Sequence, residues 1–203
     1  MVVMSHPSPK VLVLDAMGVI YRVGDDVAHL LIPFIRENGG RDDTAQIESA
    51  YTEASLGQIS AAEFWKRVGI SDALEDQYLQ RLELSDGLPK MLEVVGERFD
   101  EVDCLSNDVA EWSRKLRTRF GLERHISRWY ISGELGARKP SLEIYRHMLH
   151  DLNVAPDDVL FVDDRAKNLH AAAELGIQTV YFDPANNGNN GGHRTISSLS
   201  ELV

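Results

Sequence analysis

The chain has 203 residues, 43% of them hydrophobic, enough for one substantial core with room for a modest appendage. Its 21 Lys and Arg against 32 Asp and Glu give a formal net charge of -11, the wrong sign for a nucleic-acid or anionic-membrane surface, although a few local cations can still serve one small anion. A single cysteine, Cys104, and an apolar run at 11–14 that stops at Asp15, too short for a signal segment or a membrane span, point to a reduced, soluble, cytoplasmic protein.

The first predicted element is that run, VLVL, a strand buried on both faces. Residues 24–84 then offer only helical patterns, at 27–35, 43–55, 61–68 and 74–82, and read as a small helical lobe over the carboxyl edge of a sheet. Strands follow at 102–105, at 129–131 with a weaker pattern, at 159–162 and at 178–182. Between them Val109, Trp112 and Leu116 repeat at helical spacing, as do Leu142, Tyr145, Leu149 and Leu152, and then Ala166, Leu169 and Ala173 before a C-capping Gly176. The tract PANNGNNGG at 184–192 is made of turn formers and predicts a mobile surface loop. Strand alternating with helix implies an α/β fold, a doubly wound parallel sheet whose ligands sit beyond the carboxyl ends of the strands. The expected division is a core of 1–23 and 85–203 and a helical cap of 24–84.

The ends of three predicted strands carry the chemistry. One ends at Asp15, another runs into Ser106-Asn107-Asp108, and a third into Asp163-Asp164. Parallel strands place these ends side by side, and clustered carboxylates repel one another unless a cation sits among them. A hard, oxygen-seeking Mg²⁺ suits such a cluster. Lys139, in GARKPSLEIY, precedes a helix start at Ser141 and would supply a point charge for a phosphate. The set amounts to a carboxylate nucleophile, a supported metal, a hydroxyl and amide pair and a cation, an inventory for phosphoryl transfer to an aspartate. Each residue has a plainer account. Asp15 can be a turn residue, Ser106 and Asn107 caps of the following helix, Lys139 a solvated lysine, and Asp163-Asp164 a complement to a helix dipole. Their joint order along the chain is what argues against all four accounts at once. His29, His125, His147, His150 and His170 show no metal-ligand spacing, and Cys104 reads as a small core residue.

The motifs LDAMGV, LSND, RKP and FVDDRAKNLHAA, in that order, resemble those of the haloacid dehalogenase superfamily over about residues 10–182. SGELGARKPSLEIY and VLFVDDRAKNLHAAAELGI are most similar to its sugar-phosphate phosphatase branch and to the phosphatase domain of epoxide hydrolases. The resemblance implies Asp15 as nucleophile, with Ser106 and Lys139 beside it in catalysis. It also implies Ser106, Asn107, Lys139 and Gly18 as substrate contacts, and Asp15, Met17 through its carbonyl, Asp163 and Asp164 as magnesium ligands. Asp164 is expected to be the direct ligand and Asp163 its supporter. The substrate implied is a small phosphorylated metabolite.

Met17 departs from the pattern. Phosphatases of this superfamily usually carry there an aspartate that protonates the leaving alkoxide and later activates water, and methionine has no titratable proton. The loss is expected to favour esters with acidic leaving groups, such as anomeric sugar phosphates or aryl phosphates. Two other readings stand beside the phosphatase: a metal-free 2-haloacid dehalogenase, which also lacks this acid, and a catalytically impaired phosphate-binding or regulatory protein.

Overall fold

The computed structural model describes residues 9–188 and 190–203. Residues 1–8, the start of the expected core segment, and Asn189 in the Asn/Gly tract lie outside the described residues. Six strands, β1 (Val11–Leu14), β2 (Glu101–Ser106), β3 (Trp129–Ile131), β4 (Val159–Asp163), β5 (Gln178–Phe182) and β6 (Arg194–Ile196), form one parallel sheet in the order β3-β2-β1-β4-β5-β6. Four helices, α1 (Ile32–Glu37), α2 (Thr44–Ala54), α3 (Ala61–Val68) and α4 (Glu75–Leu79), follow β1, and α5 (Leu88–Val94) leads into β2. Helices α6 (Ala110–Arg119), α7 (Ser132–Leu135), α8 (Leu142–Leu152) and α9 (Ala166–Glu174) occupy the later crossovers.

Alternation along the central strands divides the interior, because successive side chains point to opposite faces. Leu12, Leu14, Leu160 and Val162 join a cluster with Leu92 of α5 and Trp112 and Leu116 of α6. Val11, Val13, Val159 and Phe161 pack instead with Ile144, Tyr145 and Met148 of α8 and Leu169 of α9. The doubly wound α/β expectation holds, and its five strands are all present. The sixth, β6, is an edge strand of exposed Arg194 and Thr195 with only Ile196 buried, and so carries no apolar run to announce it. Gly176 adopts φ +86° just past α9, as a C-terminal stop should. The pattern at 27–35 begins with a wide turn at Val27–Leu31 before α1, and that at 74–82 is a tight turn at Asp72–Leu74 continued by the short α4.

The helices between β1 and β2 share the first of these clusters with the sheet. Trp112 of α6 lies 5.3 Å from Phe64, 5.2 Å from Trp65 and 5.1 Å from Tyr78, ring centre to ring centre. Buried Glu75 ties the same junction: the indole N–H groups of Trp65 and Trp112 each donate to its Oε2 at 2.8 Å, and Lys115 Nζ lies 2.8 Å from Oε1. A buried carboxylate with three donors is well satisfied, and the junction is polar at its centre and aromatic around it. Among the described residues no helix is long and apolar enough to cross a membrane.

Candidate active site

Strand register assembles the site. Leu14 is level with Cys104 on one side and Val162 on the other, so the next residue along β1, Asp15, emerges beside Leu105 and Asp163. Its backbone N–H donates to Val162 O at 2.9 Å. Lys139 arrives from the segment after α7, and its Nζ lies 2.6 Å from Asp15 Oδ1, 2.8 Å from Asp163 Oδ2 and 2.8 Å from Leu105 O. Asn107 sets that lysine in place: its Nδ2 donates to Lys139 O at 2.9 Å, and its Oδ1 accepts from Lys139 N at 2.7 Å. Neither Ser106 nor Asn107 caps α6, whose start is served by Asp108 Oδ1 accepting from Val109 N at 2.7 Å. Ser106 Oγ is buried and has no hydrogen-bond partner among the described residues, and Ser106 lines the cavity.

The two adjacent acids differ. Asp163 is fully buried and fully partnered, with Oδ1 accepting from Arg165 N and Asn168 Nδ2, and Oδ2 from Lys139 and Asn168 Nδ2. Asp164 Oδ1, also buried, has no hydrogen-bond partner among the described residues, while Arg165 Nε stands 4.0 Å away. Asp164 fits a notch between Gly18 and Gly24, where a Cβ on either glycine would overlap its Oδ2. Gly18 therefore supplies space more than contact: its φ of +84° suits glycine, and its N–H donates to Tyr21 O at 2.8 Å. Arg165 Nη2 donates to Gly24 O at 3.0 Å, latching the chain after β1 to the end of β4.

One oxygen each of Asp15, Asp163 and Asp164 can be chosen so that all lie within 4.8 Å of one another. Burial, and then Asp163, push the Asp15 carboxyl well above the usual carboxylate range, with Lys139 pulling the other way. Asp164 is pushed up to about 6, by burial first and Asp163 second. Burial opposes the charge on Lys139, but Asp15 and Asp163 outweigh it and raise its pKa. Three carboxyls beside one ammonium remain short of positive charge, and among the described residues Asp164 Oδ1 has no hydrogen-bond partner. The donor set fits a hard divalent cation.

Beyond this cluster opens a cavity of about 330 Å³. Asp15, Met17, Ser106, Asn107 and Lys139 line it from the strand ends and form its floor, and Asp26, Glu48, Tyr51 and Thr52 from the helical segment form its wall. Tyr51 OH donates to Asn107 O at 3.2 Å, and Arg138 lies over the Tyr51 ring at 5.5 Å, so floor and wall touch. Arg138, Arg165 and Lys167 add positive charge to the lining. The spacing of residues along the chain did not single out Arg165, Asn168 or Asp26; the only sequence signal for the first two is that they sit two and five residues after the strand-end Asp163.

Residues 44–182 match the family of haloacid dehalogenase-like hydrolases. A D-ribitol-5-phosphate phosphatase of Bacteroides thetaiotaomicron is 30% identical over 197 residues, an alignment that takes in 87% of this chain and 92% of that protein. Among solved structures, a wild-type enzyme of the same family from Bacteroides thetaiotaomicron, in complex with magnesium and inorganic phosphate, superposes with a TM-score of 0.73 at 22% identity, over 91% of this chain and 100% of that one. A dehalogenase superposes with a TM-score of 0.69 at 23% identity, over 97% and 96% respectively. The strand-end acids, the buried lysine and the matched family agree: this chain belongs to the haloacid dehalogenase-like hydrolases.

Proposed function

We infer that this hydrolase is a magnesium-dependent phosphatase of small phosphate monoesters, working through an aspartyl-phosphate on Asp15. The observation that carries the reading is the unequal partnering of the two acids after β4. Asp163 is saturated by protein donors, whereas among the described residues Asp164 keeps a buried oxygen with none, and one oxygen of each of these acids lies within 4.8 Å of one of Asp15. Asp15, Asp164 and the Met17 carbonyl would hold the ion, with Asp163 supporting them through Lys139. When bound, magnesium supplies positive charge to the phosphoryl oxygens and keeps Asp15 ionised despite its burial.

The chain's own groups account for the remaining tasks. Asp15 attacks phosphorus and displaces the ester oxygen. Ser106 Oγ donates to a phosphoryl oxygen. Lys139, charged and immobilised by Asn107, stabilises negative charge as it builds on the transferring group. Residues 24–84 act as the cap and 1–23 with 85–203 as the catalytic core. The cap wall sets which ester fits, and the cavity volume limits it to a small metabolite. A polyol phosphate is the first class to try, since one relative is named for ribitol 5-phosphate.

The dehalogenase reading has its own support in the absent acid at position 17 and in the dehalogenase neighbour. The partnering of Asp163 and Asp164 weighs against it, because a halide displacement at carbon needs no cluster of acids around a cation. The test is a screen of phosphate esters with Mg²⁺ beside 2-haloacids without metal. Phosphate release that needs the metal supports the phosphatase; halide release supports the dehalogenase; silence in both supports a binding protein.

A further inference from the structure

A phosphatase needs a proton for its leaving oxygen, and Met17 cannot give one. Lys139 is bound on three sides by Asp15, Asp163 and Leu105 O and serves the phosphoryl group. The cavity is lined by four carboxyl-bearing residues, Asp15, Asp25, Asp26 and Glu48. Asp15 is the nucleophile. Asp25 and Glu48 are exposed, and Asp25 Oδ1 accepts from Ala28 N at 3.1 Å. Neither is buried or, among the described residues, held by a side-chain partner at the cavity.

Asp26 differs from all three. It is 4% exposed, stands at the start of the helical segment, and its Oδ2 accepts from Tyr78 OH at 3.3 Å. Tyr78 is itself fixed among Phe34, Trp65 and Trp112, at ring-centre distances of 5.7, 5.6 and 5.1 Å. The aromatic junction that joins the helical segment to α6 thus holds one oxygen of a buried carboxyl that lines the same cavity as Asp15. We propose that Asp26 is the general acid and base of this enzyme, taking over from the cavity wall the task that Met17 has lost. The proposal rests on the phosphatase reading above.

The two half-reactions balance. An Asp15 oxygen bonds to phosphorus as the ester P–O bond breaks, and the leaving oxygen takes the proton of the Asp26 carboxylic acid to become an alcohol. Water then loses a proton to the Asp26 carboxylate as its oxygen bonds to phosphorus. The P–O bond to Asp15 breaks, giving inorganic phosphate and restoring both side chains. Burial raises Asp26 to about 6, offset in part by the Tyr78 hydrogen bond and Arg165 and aided by Asp25. Its charge also raises the pKa of buried Tyr51 and Asp108. A carboxyl so placed gives and regains a proton near neutrality, the condition under which acid–base assistance is most effective. This assignment replaces the expectation that the wild type is confined to acidic leaving groups.

The experiment is a leaving-group series from p-nitrophenyl to simple alkyl phosphates with Mg²⁺, comparing kcat/KM of the wild type, Asp26→Asn and Asp26→Glu. The wild type should fall only gently with leaving-group pKa. Asp26→Asn should lose about 10²- to 10⁴-fold on alkyl esters while staying within about tenfold on p-nitrophenyl phosphate, which needs no proton and whose retention shows that the variant folds. With the aryl ester, Asp26→Asn should also give a burst of nitrophenolate followed by slow turnover, because water attack lacks its base, and Asp26→Glu should recover part of the alkyl rate. Parallel plots for wild type and Asp26→Asn, or a uniform loss across the series, overturn the proposal alone. A wild type inactive on every ester with Mg²⁺ overturns the phosphatase reading, and the proposal with it.

Discussion

The floor and the wall of the cavity are built by opposite strategies. On the floor, at the carboxyl edge of the sheet, Asp15, Asp163 and Lys139 are buried and bonded to one another or to strand carbonyls, and their positions follow from strand register. On the wall, Glu48, Tyr51 and Thr52 come from one helix and Asp26 from the turn before another, and what holds that wall is an aromatic junction centred on Trp112 of α6. Register is a property of the sheet, shared by any sequence that forms it, whereas the wall depends on how particular rings interlock. The strand-end groups are therefore placed by the fold, and the groups on the wall, Asp26 among them, by packing specific to this chain.

The largest expected effect strikes the floor. Asp15→Asn should lower kcat by at least about 10³-fold with Mg²⁺ present, measured on the best ester found, because an amide neither attacks phosphorus nor holds the cation. Activity within tenfold of wild type would place the nucleophile elsewhere. Lys139→Met should follow, costing the metal-free protein about 3–5 kcal/mol by denaturant titration, since it leaves Asp15 and Asp163 buried without their cation. A smaller loss in saturating Mg²⁺ would show that the ion can stand in for the lysine.

On the wall, the pH dependence of Asp26 gives a signed test. Its folded pKa of about 6 lies above the 3.8 of an ordinary aspartate in the unfolded chain. Between those values the native state holds a proton that the unfolded chain has released, so stability falls as pH rises through the window and is level above it. Asp26→Asn removes that slope, and its stability relative to wild type should improve by roughly 2–3 kcal/mol between pH 4 and pH 7.5. A difference that does not change with pH would mean the carboxyl is not held neutral. Glu75→Ala should cost about 1–3 kcal/mol by leaving two buried indole N–H groups without an acceptor, while keeping a single cooperative transition, because wall and floor share one hydrophobic cluster. Two separate transitions would contradict that sharing. The smallest effect is at Met17: with Asp26 in place, Met17→Asp should change kcat/KM on alkyl esters by less than about threefold, yet restore much of what Asp26→Asn loses.

Much of the floor is legible in the sequence because each of its acids ends a strand whose apolar run announces it. Asp15 after VLVL and Asp163 after VLFV need only the parallel pairing of those runs to meet. Lys139 is legible through its motif, but its clamp by Asn107 is not, since a side-chain amide bonded to a backbone 32 residues away leaves no periodic trace. Asp26 was hidden for a similar reason: an acid beside another acid in GDD reads as a solvated turn until Tyr78, from a distant helix, is seen to bury it. The notch that fits Asp164 needed the packing of Gly18 against Gly24. Strand β6 and helix α5 escaped because one is a short, mostly exposed edge and the other a brief helix opening at Pro89, too short to repeat a pattern.

The central claim, attack by Asp15 on phosphorus, is tested most directly by a single turnover in ¹⁸O-labelled water with enzyme in excess and Mg²⁺ present. Water that opens an aspartyl-phosphate at phosphorus carries its oxygen into the released phosphate and leaves the Asp15 carboxylate unlabelled, whereas an ester formed with carbon is opened at the Asp15 carbonyl. The account predicts one ¹⁸O in phosphate and none in the peptide containing Asp15 by mass spectrometry. Label in that peptide, with a 2-haloacid as the productive substrate, would contradict it.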